Sequence, residues 1–261
     1  MISLFRRCST VVTVAITVGP LFAIVGAFAE ECSVPDRFYA SEPLLTKTPK
    51  MLSSRRDVII VTLGGASTMG VAAGGLEFAW PARLAAALAE RFPSKRIRVI
   101  NLAVARQTAK RAVERLDRDV LSLNPTLVIW ETGTMEAVRG TDVEEFRQTL
   151  QSGIDKIHAT GVEMVLMNMQ FSRPTEAVIR FEPYLIAMNE LADVNDIPLF
   201  RRHGLMRHWA ESGALDLRVE EGKKSREMAA KLYDCIGVAM ANLVTHGIPA
   251  GKAANGSGGN R

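Results

Sequence analysis

Apolar residues between positions 57 and 244 follow two alternating patterns. Short runs of consecutive apolar residues predict buried β-strands, and longer stretches with apolar residues at helical spacing predict amphipathic helices. The predicted strands occupy residues 57–63, 96–102, 125–130, 162–169 and 197–200. The predicted helices occupy residues 78–92, 108–123, 143–159, 183–194 and 224–244.

Single helices separate the consecutive predicted strands, which predicts parallel pairing with right-handed crossovers. Five such strands form one doubly wound α/β domain, and no linker or shift in composition divides it. In such sheets the ligand lies at the carboxyl ends of the strands. The segments to search for chemistry are therefore residues 64–70, 103–108, 131–140 and 170–176, with the chain between the fifth strand and residue 223 as the remaining wall.

The first 29 residues have the pattern of a secretory signal peptide. Arg6 and Arg7 precede an uncharged, mostly apolar stretch, and Ala27-Phe28-Ala29 supplies the small residues of a cleavage site. An uncleaved membrane anchor is the alternative. Cleavage after Ala29 predicts a periplasmic or secreted protein with no membrane span. Residues 30–56 are a polar lead-in, residues 57–247 the α/β domain, and residues 248–261 a predicted disordered tail.

Two cysteines remain after the predicted cleavage, Cys32 and Cys235. An even pair in an oxidising compartment predicts a disulfide between the lead-in and the last helix. Two unpaired cysteines are the alternative.

Composition and motifs exclude several classes of protein. The chain has 261 residues, of which 48% are hydrophobic and 23% charged, as in an ordinary globular protein. The net charge of +4 comes from interspersed signs, so we expect no nucleic-acid partner. We expect no metal, because no His/Cys cluster has zinc spacing, and no nucleotide cofactor, because phosphate-loop spacings are missing.

The segment Gly64–Gly70 is the first candidate for chemistry. Its small residues place the Ser67 hydroxyl at the carboxyl end of the first strand, where backbone N–H groups could stabilise an oxyanion. Ser67 as a helix cap in a tight turn is the alternative.

The sequence resembles the SGNH/GDSL hydrolase superfamily. The segment LGGASTMG at residues 63–70 is similar to its nucleophile block, Asn101–Ala103 with Gln107–Thr108 to its second block, and PTLVIWETGT at residues 125–134 to its third block. Residues 167–176 and 199–217 resemble members of the superfamily as well. The resemblance implies a flavodoxin-like three-layer α/β/α sandwich with a five-stranded parallel sheet. It also implies hydrolysis by Ser67 of acyl or acetyl esters of carbohydrates or lipids.

The chain departs from the superfamily pattern at the other blocks. Arg106 stands in place of the second-block glycine, and Met135 in place of the third-block asparagine. The Asp-x-x-His pair before the last helix is missing. The last segment can be aligned with this block in two ways. One alignment places Lys224 and Glu227 at the Asp and His positions, and the other places Asp216 and Val219 there. Tyr233 is a candidate for a displaced histidine position.

We therefore expect another histidine to act as the base, and His208 is the first choice, ahead of His203. Packing of His208 beside Trp209 is the alternative. The residues predicted to bind the oxyanion or the substrate are Ala103, Arg106, Gly133 and Gln170. The competing interpretation is an inactive member of the superfamily that binds a glycan or acyl ligand in the same cleft. The sequence leaves the oligomeric state and the identity of the substrate open.

Overall fold

In a computed structural model, the chain is described at residues 32, 34–38, 43–54, 56–217 and 222–248. These residues contain a five-stranded parallel sheet with the strand order β2-β1-β3-β4-β5. The strands are β1 (Val58–Leu63), β2 (Ile97–Asn101), β3 (Leu127–Glu131), β4 (Glu163–Met167) and β5 (Leu199–Phe200). The order 2-1-3-4-5 is that of flavodoxin-like sheets, which confirms the predicted fold.

One α-helix precedes β1, and one or two α-helices follow each strand. They are α1 (Lys47–Leu52), α2 (Trp80–Arg91), α3 (Ala109–Glu114), α4 (Thr134–Arg139), α5 (Val143–Ala159), α6 (Arg173–Glu176), α7 (Glu182–Val194), α8 (Arg202–Ser212) and α9 (Lys223–Val244). The helix predicted over residues 108–123 ends early: α3 is followed by a π-helical turn at Leu116–Val120 and a 3₁₀ turn at Leu121–Leu123.

Two hydrophobic cores lie on opposite faces of the sheet. Successive side chains of a strand point to opposite faces, and helices cover both faces of a parallel sheet. Ile60, Ile129 and Val165 belong to the core beneath α2, α8 and α9. Their neighbours Val61, Val128 and Leu166 belong to the core beneath α3, α5 and α7. Burial on both faces explains why the strands read as continuous apolar runs.

The strand register brings the chain segments that follow the strands together at one edge. Leu63 pairs with Trp130, Glu131 with Met167, and Met167 with Phe200. The turn after β1, the last residue of β3 and the start of α8 therefore meet at the carboxyl edge.

Two connections attach the lead-in to the domain. The Glu163 carboxylate accepts hydrogen bonds from the backbone N–H groups of Thr46, Lys47 and Thr48 at 2.6–2.7 Å, at the start of α1. Cys32 and Cys235 form a disulfide with their Cα atoms 5.0 Å apart, as predicted.

No helix in the described part of the chain is long and apolar enough to span a membrane. Residues 1–29 lie outside the described residues, and so does nearly all of the tail from 248 to 261. Signal cleavage and tail disorder therefore stay predictions.

Candidate active site

Ser67 lies in a closely packed turn directly after β1. Backbone hydrogen bonds from Met69 to Gly65 and from Val71 to Ala66, both 3.1 Å, close the turn. Gly64 has no room for a side chain: a Cβ there would lie 2.3 Å from Thr68 Oγ1 and 2.5 Å from Glu131 Oε2. The glycine therefore allows the backbone to approach the end of β3, and Ser67 stays partly exposed.

The Ser67 hydroxyl lies between a guanidinium and a carboxylate. Arg202 Nη1 donates to Ser67 Oγ over 2.9 Å, and Ser67 Oγ donates to Glu131 Oε2 over 3.2 Å. Glu131 is the last residue of β3, and Arg202 is the first residue of α8, directly after β5. Three elements far apart in the chain thus converge on one hydroxyl.

Glu131 and Arg202 form a buried ion pair. Arg202 Nη2 lies 3.0 Å from Glu131 Oε1, and only 1% of the arginine side chain and 4% of the glutamate side chain are exposed. Burial opposes ionisation of Glu131, but the Arg202 charge and the hydrogen bonds from Thr68 and Gly65 outweigh it, so the pKa of Glu131 lies below its usual value. The carboxylate is therefore ionised at neutral pH, and it is a weak base.

A second layer of polar contacts fixes the turn. Thr68 Oγ1 donates to Glu131 Oε2 over 2.6 Å and accepts from Trp80 Nε1 over 3.2 Å. The Asn101 amide donates to the Thr68 carbonyl over 2.7 Å. Tyr233 of α9 interacts electrostatically with both members of the ion pair. Burial and the negative charge of Glu131 raise the pKa of Tyr233 to about 12, and the positive charge of Arg202 opposes this shift. The Tyr233 side chain beside the ion pair is therefore uncharged at neutral pH.

A model of the Non-GDSL lipase-like family matches residues 31–250. The chain belongs to this family. A search of curated proteins found no match.

Three solved structures show the same fold. A G-D-S-L family lipolytic protein from Desulfitobacterium hafniense is 22% identical with a TM-score of 0.54, covering 72% of this chain and 99% of its own. The psychrotrophic esterase EstA from Pseudoalteromonas is 22% identical with a TM-score of 0.52, covering 69% and 97%. The acetylxylan esterase Axe2 from Geobacillus stearothermophilus is 16% identical with a TM-score of 0.54, covering 69% and 93%. The family match confirms the prediction of a degenerate SGNH/GDSL member, and the three solved structures share its fold.

In this Non-GDSL lipase-like chain, no imidazole of the described residues hydrogen-bonds to Ser67. His208, the predicted base, lies within α8 with its ring centroid 5.6 Å from that of Phe38. His203 is buried, and its Nε2 lies 2.9 Å from Glu176 Oε1. Burial lowers the pKa of His203 against the opposing charge of Glu176. The role of His208 as a base stays a prediction.

The residues predicted to bind the oxyanion or the substrate all lie at the carboxyl edge of the sheet. The Ala103 backbone N–H donates to the Asn101 side chain over 3.1 Å, and Arg106 is exposed with φ of +57°. Gly133 is buried with φ of +90°, and Gln170 is partly exposed after β4. Their contact with a substrate stays a prediction.

Sequence reasoning missed Arg202, whose guanidinium donates a hydrogen bond to the predicted nucleophile. The hydrogen bond from Arg202 to Ser67 spans 135 positions, so no local spacing links the two residues. The available signal was an Arg-Arg pair directly after the fifth predicted strand, at the edge where ligands bind.

Two adjoining cavities near the site are lined by both apolar and polar side chains. The polar ones are Gln170, Arg173, Asp216, Lys224, Ser225, Glu227 and Lys231. One cavity of about 540 Å³ is lined by Ala72, which follows the Ser67 turn, and by Met206, one helical turn after Arg202. A second cavity of about 600 Å³ shares Phe171, Asp216 and Leu217 with the first. The further apolar side chains of the two cavities are Pro174, Ala210, Leu215, Met228, Ala229 and Leu232.

Proposed function

We propose that the chain is a serine ester hydrolase in which Ser67 attacks the carbonyl carbon of an acyl or acetyl ester. One observation carries the proposal: Ser67 is partly exposed at the carboxyl edge, and its hydroxyl lies between Arg202 Nη1 and Glu131 Oε2. In doubly wound sheets this edge is where ligands bind.

The contacts of Ser67 support covalent catalysis. In the first step a bond forms between Ser67 Oγ and the carbonyl carbon while the hydroxyl proton passes to the base. The bond from the carbonyl carbon to the alcohol oxygen then breaks, and the alcohol leaves with that proton. In the second step water attacks the acyl-serine: its hydroxyl becomes part of the released acid, and its remaining proton returns to Ser67 Oγ. Arg202 stabilises negative charge developing on Oγ, and Glu131 Oε2 is the acceptor already hydrogen-bonded to the hydroxyl proton.

The low pKa of Glu131 limits this chemistry. A carboxylate held ionised by a guanidinium takes up a proton reluctantly, so we expect slower turnover than in an enzyme with an imidazole base. His208 stays in the proposal as an alternative base.

The apolar side chains of the cavity near the site support an ester with an acyl part that packs on Phe171 and Met206. The names of the solved neighbours, which include an esterase and an acetylxylan esterase, agree with ester substrates. From the pattern in residues 1–29 we further propose that the protein acts outside the cytoplasm.

The test is hydrolysis of p-nitrophenyl acetate and butyrate by the purified protein. We expect Ser67→Ala to remove the activity and Ser152→Ala, on the exposed face of α5, to leave it unchanged. His208→Ala decides between the bases: loss of activity assigns the proton to the imidazole, and retention assigns it to Glu131. Activity that survives Ser67→Ala overturns the proposal.

A binding protein without hydrolysis is the second candidate. The weak basicity of Glu131 and the lack of an imidazole hydrogen bond to Ser67 favour it. It predicts that butyrate or a xylo-oligosaccharide binds to the wild-type protein by calorimetry while no ester is hydrolysed.

A further inference from the structure

A third contact joins the lead-in to the domain, at the helix that carries Arg202. A 3₁₀ turn at Asp36–Phe38 is closed by the Phe38 N–H, which donates to the Pro35 carbonyl over 3.0 Å. The Phe38 carbonyl accepts a hydrogen bond of 3.3 Å from the backbone N–H of Arg201, the residue directly before α8. The lead-in therefore contacts the start of α8 directly.

The Phe38 ring packs against α8 at a glycine. A Cβ at Gly204 would lie 3.2 Å from Phe38 Cε1, which is closer than an ordinary contact. The ring of His208, one helical turn further on, has its centroid 5.6 Å from that of Phe38, and the Arg37 guanidinium lies over the same ring at 4.6 Å. Glycine is less favourable than alanine in a helix, so the close approach of the ring accounts for a glycine at this position.

Arg202 lies on the opposite face of α8 from this contact. Successive residues of an α-helix are about 100° apart around its axis, so Arg202 and Gly204 point in directions about 200° apart. Phe38 therefore supports α8 from the side opposite to the one from which Arg202 reaches Ser67.

The Arg202 guanidinium depends on the helix for its position. Nη1 donates to Ser67 and Nη2 to Glu131, whereas Nε has no hydrogen-bond partner in the described part of the chain. The distance of 2.9 Å from Nη1 to Ser67 Oγ is therefore set by where the backbone of α8 begins.

The backbone on each side of Arg202 has an anchor. Before it, the Arg201 N–H donates to the Phe38 carbonyl, and after it, the His203 N–H donates to Asn168 Oδ1 over 2.9 Å. Asn168 directly follows β4, so one anchor belongs to the sheet and the other to the lead-in. A displacement of about 1 Å at a catalytic contact can reduce a rate by a factor of about 100.

We propose that Phe38 is a positioning residue, which holds the start of α8 so that Arg202 Nη1 meets Ser67 Oγ. The inference rests on the proposed ester hydrolysis, in which Arg202 stabilises the charge that develops on Oγ. Because Phe38 acts through α8, its loss slows the chemical step and leaves the binding of the substrate unchanged.

The first test separates positioning from general stability. We expect Phe38→Ala to lower kcat for p-nitrophenyl acetate at least tenfold with KM changed less than twofold, and Phe38→Tyr, which keeps the ring, to stay within twofold of the wild type. Leu45→Ala is the control: Leu45 is a buried lead-in residue beside Thr46, which binds Glu163 at the start of β4. It is expected to lower the melting temperature and to leave kcat unchanged. Equal losses of kcat in Phe38→Ala and Leu45→Ala overturn the proposal.

The second test uses the close contact at Gly204. A valine there would displace the Phe38 ring, so we expect Gly204→Val to lower kcat as Phe38→Ala does. Both changes break the same contact, so the double variant should lose little more than either single variant. Losses that multiply in the double variant contradict an action through this contact.

A third measurement distinguishes a failure of positioning from a failure of the proposed function. Amide hydrogen exchange of peptides covering residues 201–205 is followed by mass spectrometry. We expect exchange at least tenfold faster in Phe38→Ala than in the wild type, and unchanged in Leu45→Ala. Faster exchange in Phe38→Ala, with no ester hydrolysis by the wild type, refutes the proposed function alone. Unchanged exchange in Phe38→Ala overturns the positioning role, whatever the wild type hydrolyses.

Discussion

Arg202 carries a positive charge in a place almost closed to water, with Glu131 as its counter-charge. Removing one partner of a buried pair leaves the other without compensation. The guanidinium therefore stabilises the fold through the contact of Nη2 with Glu131, while Nη1 polarises the Ser67 hydroxyl.

Replacing Arg202 tests this dual role. We expect Arg202→Met to lower the free energy of unfolding by about 3–5 kcal/mol, because Glu131 stays buried and unpaired. Arg207→Met is the control, since Arg207 pairs with Glu176 at the surface and surface pairs contribute about 0–1 kcal/mol. Urea denaturation measures both variants, and similar losses would contradict the account.

Gly64 and Gly65 offer a matched pair of substitutions. A Cβ at Gly64 would collide with Thr68 Oγ1 and Glu131 Oε2, whereas a Cβ at Gly65 meets nothing within 4 Å. We expect Gly64→Ala to lower the melting temperature by several degrees and Gly65→Ala to leave it nearly unchanged. A stable Gly64→Ala protein would show that the turn after β1 is not closely packed against the end of β3.

At the scale of elements, the sequence predicted the strands better than the connections. Buried β-branched runs such as 57–63 admit few other structures, and the structure confirms all five strands. The segment predicted as one helix over 108–123 consists of α3, a wider π-helical turn and a tighter 3₁₀ turn. The prediction missed the two turns because apolar spacing cannot distinguish an α-helix from a π-helical turn. The residues of α8 were also predicted as a loop. The first residue of α8, Arg202, is the one that donates to the Ser67 hydroxyl.

The Ser67 turn was predictable because its chemistry is local: small residues directly after a strand. The partners of Ser67 were not, because Glu131 and Arg202 reach it only through the strand order. The superfamily pattern even directed attention to histidines, whereas the structure brings an arginine to the hydroxyl.

The contact between α1 and β4 predicts a pH dependence of stability. Burial opposes ionisation of Glu163, but hydrogen bonds from Lys47, Thr48 and Thr46 outweigh it, so its pKa is lower in the folded protein than in the unfolded chain. The carboxylate therefore stabilises the fold fully above the unfolded pKa of about 4.5, and this contribution is lost as the pH falls through the folded pKa.

We accordingly expect the difference in unfolding free energy between the wild type and Glu163→Gln to be largest at neutral pH and to shrink below pH of about 4.5. Denaturation curves between pH 3 and pH 7 measure it. A difference that grows on acidification would show that the carboxylate is not ionised in the folded state.

At the scale of the whole molecule, the disulfide joins the lead-in to the last helix across 203 positions. Closing so long a loop in the unfolded chain corresponds to about 5 kcal/mol as an upper value in the chain-entropy treatment. We expect the double variant Cys32→Ser, Cys235→Ser to unfold at clearly lower urea concentration. An unchanged midpoint would show that the lead-in contributes little to the cooperative unit.

The central claim is that Ser67, held between Arg202 and Glu131, is a nucleophile. The most direct measurement is the intact mass of the protein after incubation with a fluorophosphonate, followed by peptide mapping. We expect one phosphonyl adduct on Ser67, formed by the wild type and by Ser152→Ala and missing in Ser67→Ala. A wild-type protein that gains no mass, or an adduct that persists in Ser67→Ala, would contradict it.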